Sequence, residues 1–230
     1  MYSSVIIVAA GKGRRMGADI NKQYLKLDGK EILAHTIEKF ERSSSINEII
    51  VVTAGDELEF CQESICKKYG FNKVKKIVAG GKTRQDSVYN GLLELDEKTE
   101  IVLIHDGARP LIGDEQIKES IKVARQVGGC VVGVPVKDTI KICDNNQQVL
   151  ETPSRDTLWS VQTPQVFQYN IIMEAYEEGF KKKLSATDDS MMVEALGYPV
   201  KVISGRYDNI KITTPEDLVI AENIMVNPSF

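Results

Sequence analysis

Residues 3–17 read SSVIIVAAGKGRRMG, an apolar run that passes directly into a loop of glycines and basic residues. The run over 3–10 has the length and the β-branched content of a buried strand. Glycines directly after a strand let the backbone approach a phosphate closely and expose N–H groups to it. Open α/β sheets bind ligands at the carboxyl ends of their strands. This stretch therefore predicts the first strand of such a sheet, with a ligand site at its end.

Strand-like and helix-like patterns alternate after this loop. Strands are predicted over 47–53, 74–79, 100–105 and 129–134. Helices are predicted over 31–40, 56–68, 83–95 and 114–127. Such alternation predicts right-handed βαβ units, a mostly parallel sheet and helices on both of its faces, which is an α/β fold.

The alternation breaks over residues 135–155. Two short strand patterns, 139–143 and 148–151, flank the polar segment 144–147 and predict a β-hairpin. A lone hairpin is marginally stable in water, so we expect this arm to pack on something outside the sheet, such as another subunit. The regular pattern resumes with 158–162, helices near 170–180 and 188–196, strands at 199–204 and 210–212, and a final helix that begins at Thr214-Pro215. With no linker and no repeat, residues 1–230 are expected to form one domain with an inserted arm.

Composition and charge exclude several classes of protein. The 230 residues are 42% hydrophobic and 27% charged, which is typical of a globular protein and excludes collagen or long disorder. No apolar run approaches the roughly 20 residues of a membrane helix, and basic residues follow the first run instead of preceding it. We therefore expect a cytoplasmic protein without a membrane partner. A net charge of −4 argues against a non-specific nucleic-acid binder.

The cysteines do not form a metal-binding pattern. Cys61, Cys66, Cys130 and Cys143 lie in no C-x-x-C pair, and the chain has only two histidines. Free thiols are therefore a better interpretation than a zinc site.

The basic glycine loop favours a polyphosphate ligand. Between residues 11 and 22 the charges are Lys12, Arg14, Arg15 and Lys22 against Asp19, so 4 − 1 = +3 in a chain of −4. Neither common fingerprint fits, because Met16 occupies the third glycine position of G-x-G-x-x-G and the Walker tail G-K-[S/T] is absent from this loop. A solvated basic loop is the alternative, but the charge lies where an α/β sheet places its ligand.

Two further stretches carry chemistry. In GGKTRQDS (80–87), Thr83 and Asp86 fit a capping box that begins a helix, and the two glycines before it allow close approach to a nucleobase or ribose. In IHDGARP (104–110), Asp106 directly follows a buried strand. A carboxylate there suits Mg²⁺, which binds through one or two carboxylates plus substrate phosphates. Asp106 could instead pair with Arg109, and one carboxylate can have both roles.

Together these stretches resemble the 2-C-methyl-D-erythritol 4-phosphate cytidylyltransferases, also called 4-diphosphocytidyl-2-C-methyl-D-erythritol synthases. The resemblance runs in order from residue 9 to 218 through AAGKGRRMG, NKQYL, GGKTRQDSV, HDGARP, PVKDTIK, LWSVQTPQ, ATDDS and DNIKITTPEDL. It implies a Rossmann-like three-layer sandwich with a β-arm used in homodimerisation. It also implies that CMP passes from CTP to 2-C-methyl-D-erythritol 4-phosphate with release of pyrophosphate, in the non-mevalonate route to isoprenoid precursors.

The resemblance also implies roles for particular residues, taken by motif position. Arg15 and Lys22 look like the groups that stabilise the pentavalent transition state, and Asp106 is similar to the Mg²⁺ ligand. The expected contacts of CTP are Ala9, Ala10, Gly11, Gly81, Ser87, Asp106 and Arg109. The expected contacts of the sugar phosphate are Thr139, Arg155 and Lys211, with Thr163 and Thr187 nearby. Arg155 and Lys211 are expected to be catalytic as well, and the arm would bring Thr139 and Arg155 into the neighbouring subunit's site.

Two positions depart from the family's pattern. Val8 and Asn21 stand where proline is common, which could alter the stiffness of the loop.

Three alternative functions remain open. A cytidylyltransferase for another polyol phosphate, such as ribitol 5-phosphate, is the nearest alternative, although HDGARP favours methylerythritol phosphate. An NAD-dependent oxidoreductase is disfavoured by Met16 and by the basic loop. A non-catalytic nucleotide sensor would have no need of Arg15 and Lys22.

Overall fold

The structure is a computed structural model that describes residues 1–11 and 21–227. Within those ranges seven strands form one sheet: β1 (Ser3–Val8), β4 (Glu48–Thr53), β5 (Val74–Ala79), β6 (Ile101–Asp106), β7 (Gly129–Pro135), β10 (Trp159–Gln168) and β11 (Val200–Ser204). Their order across the sheet is β11-β7-β10-β6-β1-β4-β5. β10 runs antiparallel to β6 and β7, and the other neighbours pair in parallel. The predicted α/β class and mostly parallel sheet are confirmed.

Helices cover both faces of the sheet. They are α1 (Ile32–Arg42), α2 (Leu58–Phe60), α3 (Arg84–Leu92), α4 (Asp114–Val127), α5 (Tyr169–Lys181), α6 (Asp189–Glu194) and α7 (Pro215–Val226). A 3₁₀ turn, Gly55–Glu57, precedes α2, and a π-helical stretch, Cys61–Lys67, follows it. Within the described ranges, no helix is long and apolar enough to cross a membrane.

The alternation of side chains along the strands builds two separate cores. On β1, Val5 and Ile7 pack with α1 and α4, whereas Ile6 packs with α3, α5 and α6 on the other face. Because strand side chains point alternately to opposite faces, one apolar run serves both layers. Each fully buried aliphatic side chain contributes about 1.5–3 kcal/mol, so both helical layers are firmly attached to the sheet. The result is a three-layer sandwich, as the resemblance implies.

The arm and two small elements complete the chain. β8 (Ile142–Cys143) and β9 (Val149–Glu151) form the predicted antiparallel hairpin, a two-stranded sheet of its own. β2 (Lys26–Leu27) and β3 (Lys30–Glu31) form a second hairpin, which the sequence analysis did not identify because each strand has only two residues. Cys61, Cys66 and Cys130 are buried free thiols, and Cys143 is an exposed one.

The predicted strand at 210–212 is wrong. Among the described residues, this segment makes a single backbone bond, from the Ile212 N–H to the Ala108 carbonyl at 2.9 Å, and belongs to no sheet. Its apolar character comes from packing outside the sheet, because Ile212 is buried against Leu27, Ile32 and Ala221 beneath α7. The segment therefore crosses the carboxyl ends of the strands and carries Lys211 to that edge.

Candidate active site

A cleft of about 450 Å³ opens at the carboxyl ends of β1 and β6. Backbone bonds fix its floor: the Ala9 N–H donates to the Val52 carbonyl at 2.7 Å, and the Gly107 N–H donates to the Val8 carbonyl at 2.9 Å. The predicted site residues that line it are Ala9, Ala10, Gly11, Lys22, Gly81, Ser87, Asp106 and Lys211. Arg15, the remaining predicted transition-state group, lies outside the described residues.

One wall of the cleft is the glycine pair ahead of α3. A Cβ on Gly80 would lie 2.4 Å from the Cβ of Ala10, and one on Gly81 would lie 2.2 Å from the Cβ of Asp86. Only glycine therefore lets this turn lie so close to the end of β1. The Ser87 hydroxyl accepts from the Gly81 N–H at 3.0 Å, which fixes the wall from below. The capping box of Thr83 and Asp86 is present as predicted.

Asp106 lies on the floor of the cleft among basic side chains. Its Oδ2 is 2.8 Å from Lys211 Nζ and 3.5 Å from Arg109 Nε, and its Oδ1 is 3.7 Å from Arg84 Nε. Burial alone would raise the pKa of the carboxyl, but the charges of Lys211, Arg84 and Arg109 outweigh burial and hold that pKa well below its usual range. The carboxylate is therefore ionised at neutral pH.

Arg84 is a cleft residue that the sequence analysis missed. Its guanidinium donates to both carboxylate oxygens of Asp189, at 2.9 and 2.8 Å, while its Nε faces Asp106. Asp189 is fully buried and also accepts from the Tyr176 hydroxyl at 2.6 Å. Burial alone would lower the pKa of Arg84, but the Asp189 carboxylate outweighs it and raises that pKa. The sequence does carry a signal for this pair. Arg84 directly follows the helix cap Thr83 in TRQDS, and Asp189 directly follows the helix cap Asp188 in ATDDS.

We expect Asp189→Ala to destabilise the fold by roughly 3 kcal/mol, because removing one partner of a buried ion pair leaves the other uncompensated. Arg84 retains some access to solvent, which keeps the loss at the lower end of the usual range. Urea unfolding followed by circular dichroism measures it. Glu94→Ala, which breaks the exposed ion pair with Lys76, is the control and should have a much smaller effect. A loss for Asp189→Ala no larger than that of the control would contradict this structural role.

Lys22 reaches the cleft from a 3₁₀ turn, Lys22–Tyr24. Its ammonium donates to the Ile212 carbonyl at 3.2 Å, which places it beside the segment that carries Lys211. Lys22, Lys211 and Asp106 therefore line one cleft although they come from distant parts of the sequence.

Thr163 and Arg109 lie outside the described lining of the cleft and hold its floor in place. The Thr163 hydroxyl accepts from the Asp106 N–H at 3.0 Å and lies 3.1 Å from His105 Nδ1. Arg109 donates to the Asn209 carbonyl at 2.8 Å, and its own carbonyl lies 3.0 Å from His105 Nε2. Burial lowers the pKa of His105 to about 4, so the ring is neutral at physiological pH. These groups hold the end of β6 in place, and Thr163, which is only 5% exposed, faces this network.

The remaining predicted residues do not meet the cleft within this chain. Thr139, Arg155 and Thr187 are exposed, and the lining that the structure describes does not include them. Arg155 donates to the Lys137 carbonyl at 2.9 Å, at the base of the arm. Thr187 precedes α6, where its hydroxyl lies 3.9 Å from Met191 Sδ.

Comparisons with known proteins agree on one family. The family model described as "IspD: 2-C-methyl-D-erythritol 4-phosphate cytidylyltransferase" matches residues 3–227. Proteins of that name from Alkaliphilus oremlandii and Clostridioides difficile are 59% and 56% identical to this chain. The first alignment covers 97% of this chain and 94% of the relative, and the second covers 98% and 94%.

Solved structures are similar over the same extent. The 4-diphosphocytidyl-2C-methyl-D-erythritol synthase of Anaerococcus prevotii superposes with a TM-score of 0.87 at 36% identity, covering 98% of this chain and 96% of that one. The Francisella tularensis 2-C-methyl-D-erythritol 4-phosphate cytidylyltransferase gives a TM-score of 0.81 at 32% identity, with 96% and 98% covered.

Proposed function

The chain belongs to the 2-C-methyl-D-erythritol 4-phosphate cytidylyltransferase family, and we propose that the cleft around Asp106 is where it performs that family's reaction. The protein is a nucleotidyltransferase that transfers CMP from CTP to 2-C-methyl-D-erythritol 4-phosphate and releases pyrophosphate, in isoprenoid precursor synthesis. One observation carries the assignment of the site: Lys22, Lys211 and Asp106 line a single cleft walled by glycines at the carboxyl ends of the strands.

The reaction joins two anions that repel one another. An oxygen of the sugar phosphate attacks the α-phosphorus of CTP, a new P–O bond forms, and the bond to the β-phosphate oxygen breaks so that pyrophosphate leaves with the electron pair. The attacking oxygen is already ionised, so no general base is needed. The barrier is then lowered by positioning and by neutralising charge, as is general for phosphoryl transfer.

The residues of the cleft suit those tasks. The backbone at Ala9, Ala10 and Gly11 would lie against the nucleotide, and Gly81 with Ser87 would contact its base or ribose. Lys22 and Arg15 would neutralise charge that develops at the α-phosphate. Lys211, 39% exposed and beside Asp106, would hold the sugar phosphate against the nucleotide.

The donor set at Asp106 fits Mg²⁺. The carboxylate is ionised and faces the cleft, and Mg²⁺ commonly takes one or two carboxylates and completes its shell with water and substrate phosphates. Bound there, the ion would neutralise phosphate charge and orient the leaving group. Asp106 would hold it, and Arg84 and Arg109 would keep the carboxylate in place.

We propose that the protein is a homodimer joined through its arm, in which Thr139 and Arg155 complete the site of the neighbouring subunit. The arm carries exposed apolar side chains, with Ile142, Val149 and Leu150 exposed by 46%, 57% and 67%. Exposed apolar groups of this kind favour burial against a partner. A single domain spanning 1–230 and a cytoplasmic location stay predictions from the sequence.

Arg155→Ala should raise KM for 2-C-methyl-D-erythritol 4-phosphate, because a cation that contacts its phosphate is lost. Co-refolding this variant with Lys22→Ala should restore activity to about a quarter of the sites, since half of the dimers are mixed and each holds one intact site. Pyrophosphate release by the mixture, at a concentration of the sugar phosphate well below the raised KM of Arg155→Ala, measures the recovery, with each variant refolded alone as the control. A mixture no more active than its parents would contradict crossing of the arms.

The function itself is tested by measuring pyrophosphate release from CTP, ATP, GTP or UTP, with 2-C-methyl-D-erythritol 4-phosphate or ribitol 5-phosphate as the acceptor. We expect turnover with CTP and the methylerythritol phosphate. Faster turnover with ribitol 5-phosphate would overturn the choice of alcohol. Binding of CTP without turnover on either alcohol, with Mg²⁺ present, would indicate a nucleotide sensor instead.

A further inference from the structure

Glu57 lies in the turn after β4, outside the described lining of the cleft. Its carboxylate contacts several side chains that support the cleft. Its carboxylate accepts hydrogen bonds from Asn21 Nδ2, from Gln23 Nε2 at 3.4 Å, from the Tyr24 hydroxyl at 3.2 Å and from the Thr53 hydroxyl at 3.0 Å. The two hydroxyls also lie 2.8 Å from each other. We call these five residues the Glu57 cluster.

The Glu57 cluster ties the Lys22 segment to the sheet. Asn21, Gln23 and Tyr24 flank Lys22 on both sides, whereas Thr53 is the last residue of β4. Gln23, which is only 2% exposed, also donates to the Ala9 carbonyl at 2.7 Å, and Ala9 lines the cleft. The backbone on both sides of Lys22 is therefore fixed to the ends of two central strands.

A carboxylate is well suited to this position. Its two oxygens accept from several donors at once, and hydrogen bonds to an ionised acceptor are roughly twice as strong as neutral ones. Asn21 adds an anchor of its own, because its amide donates to the Glu57 carboxylate from the position directly before Lys22. The cluster can therefore make the backbone on that side of Lys22 locally rigid.

We infer that Glu57 is a positioning residue that acts through Lys22, holding its backbone so that the ammonium stays aimed at the reacting phosphate. The inference rests on the proposed function, since that function gives Lys22 its role. Lysine has a long flexible stem, so the position of its ammonium depends on how firmly its backbone is held. Misplacing a catalytic group by about 1 Å can cost on the order of 10²-fold in rate.

A double-mutant cycle tests the inference. Glu57→Ala and Glu57→Gln are each made in the wild-type chain and in the Lys22→Ala chain, and kcat and both KM values are measured by pyrophosphate release. In the wild-type chain we expect Glu57→Ala to lower kcat by roughly 10–100-fold, with KM for CTP changing much less. In the Lys22→Ala chain the same change should have almost no effect, because the group that Glu57 positions is gone. Glu57→Gln, which keeps one oxygen, should give an intermediate kcat.

Controls separate positioning from folding. Glu63→Ala removes a carboxylate that pairs with exposed Lys67 in the π-helical stretch shortly after Glu57, and it should leave kcat unchanged. Urea unfolding of every variant shows whether a loss of activity follows a loss of stability. Should Glu57→Ala fail to fold, the isosteric Glu57→Gln carries the cycle.

Equal loss of kcat in both backgrounds, or an unchanged kcat in the wild-type chain, would overturn the inference while leaving the proposed function intact. Failure of the wild-type chain to release pyrophosphate from CTP and the methylerythritol phosphate would overturn the proposed function, and the inference with it.

Discussion

Lys22→Ala is expected to lower kcat by about 10²–10³-fold while changing KM for CTP far less, by analogy with the removal of one preorganised donor from an oxyanion hole. Lys22 lines the cleft with Asp106 and Lys211. Charge builds up around the α-phosphorus mainly in the transition state, so a cation there contributes more to turnover than to ground-state binding. Steady-state pyrophosphate release gives kcat and KM, and calorimetry gives the affinity for CTP.

A neighbouring lysine provides the matched control. Lys26 is exposed on β2, four residues along the chain, and Lys26→Ala should leave kcat unchanged. Lys22→Arg should restore only part of the rate, because the guanidinium keeps the charge but places it differently. Unchanged turnover in Lys22→Ala would remove Lys22 from the mechanism.

Asp106→Asn should have the second large effect, a loss of kcat of roughly 10²-fold or more, because an amide cannot supply the ionised oxygen that Mg²⁺ prefers. The side chain keeps its size, so the fold should survive. The measurement is kcat as a function of Mg²⁺ concentration, with the exposed Asp56→Asn as the control.

The affinity for CTP in the absence of metal is a second, independent measurement on Asp106→Asn. Lys211, Arg109 and Arg84 lose their shared counterion in the variant, so CTP should bind without metal at least as tightly as it does to the wild type. Weaker metal-free binding, or an unaltered dependence of kcat on Mg²⁺, would contradict the assignment of Asp106.

The sequence alone predicts those features that are encoded locally. The apolar run before Gly11 predicts β1 because strand burial depends on consecutive residues. The helix starts at Thr83 and Thr214 are also local, since a capping box spans four residues, and both are present. The pairing of Asp106 with Arg109 is equally local, because the two residues are three positions apart.

Features that join distant segments were not predictable from spacing. Arg84 and Asp189 are 105 residues apart, and Lys22 contacts Ile212 across 190 residues. The predicted strand at 210–212 failed because apolar residues that pack beneath a helix resemble those of a short strand. The Glu57 cluster likewise joins segments more than 30 residues apart in sequence.

The central claim is that basic side chains and one carboxylate meet at the carboxyl edge of the sheet so that two anions can react. A crystal structure of the chain with CTP and Mg²⁺ tests it most directly. We predict that the triphosphate contacts Lys22 and Arg15, with the metal ion held between Asp106 and phosphate oxygens. A triphosphate bound elsewhere, or Lys22 and Arg15 directed into solvent away from Asp106, would contradict the claim.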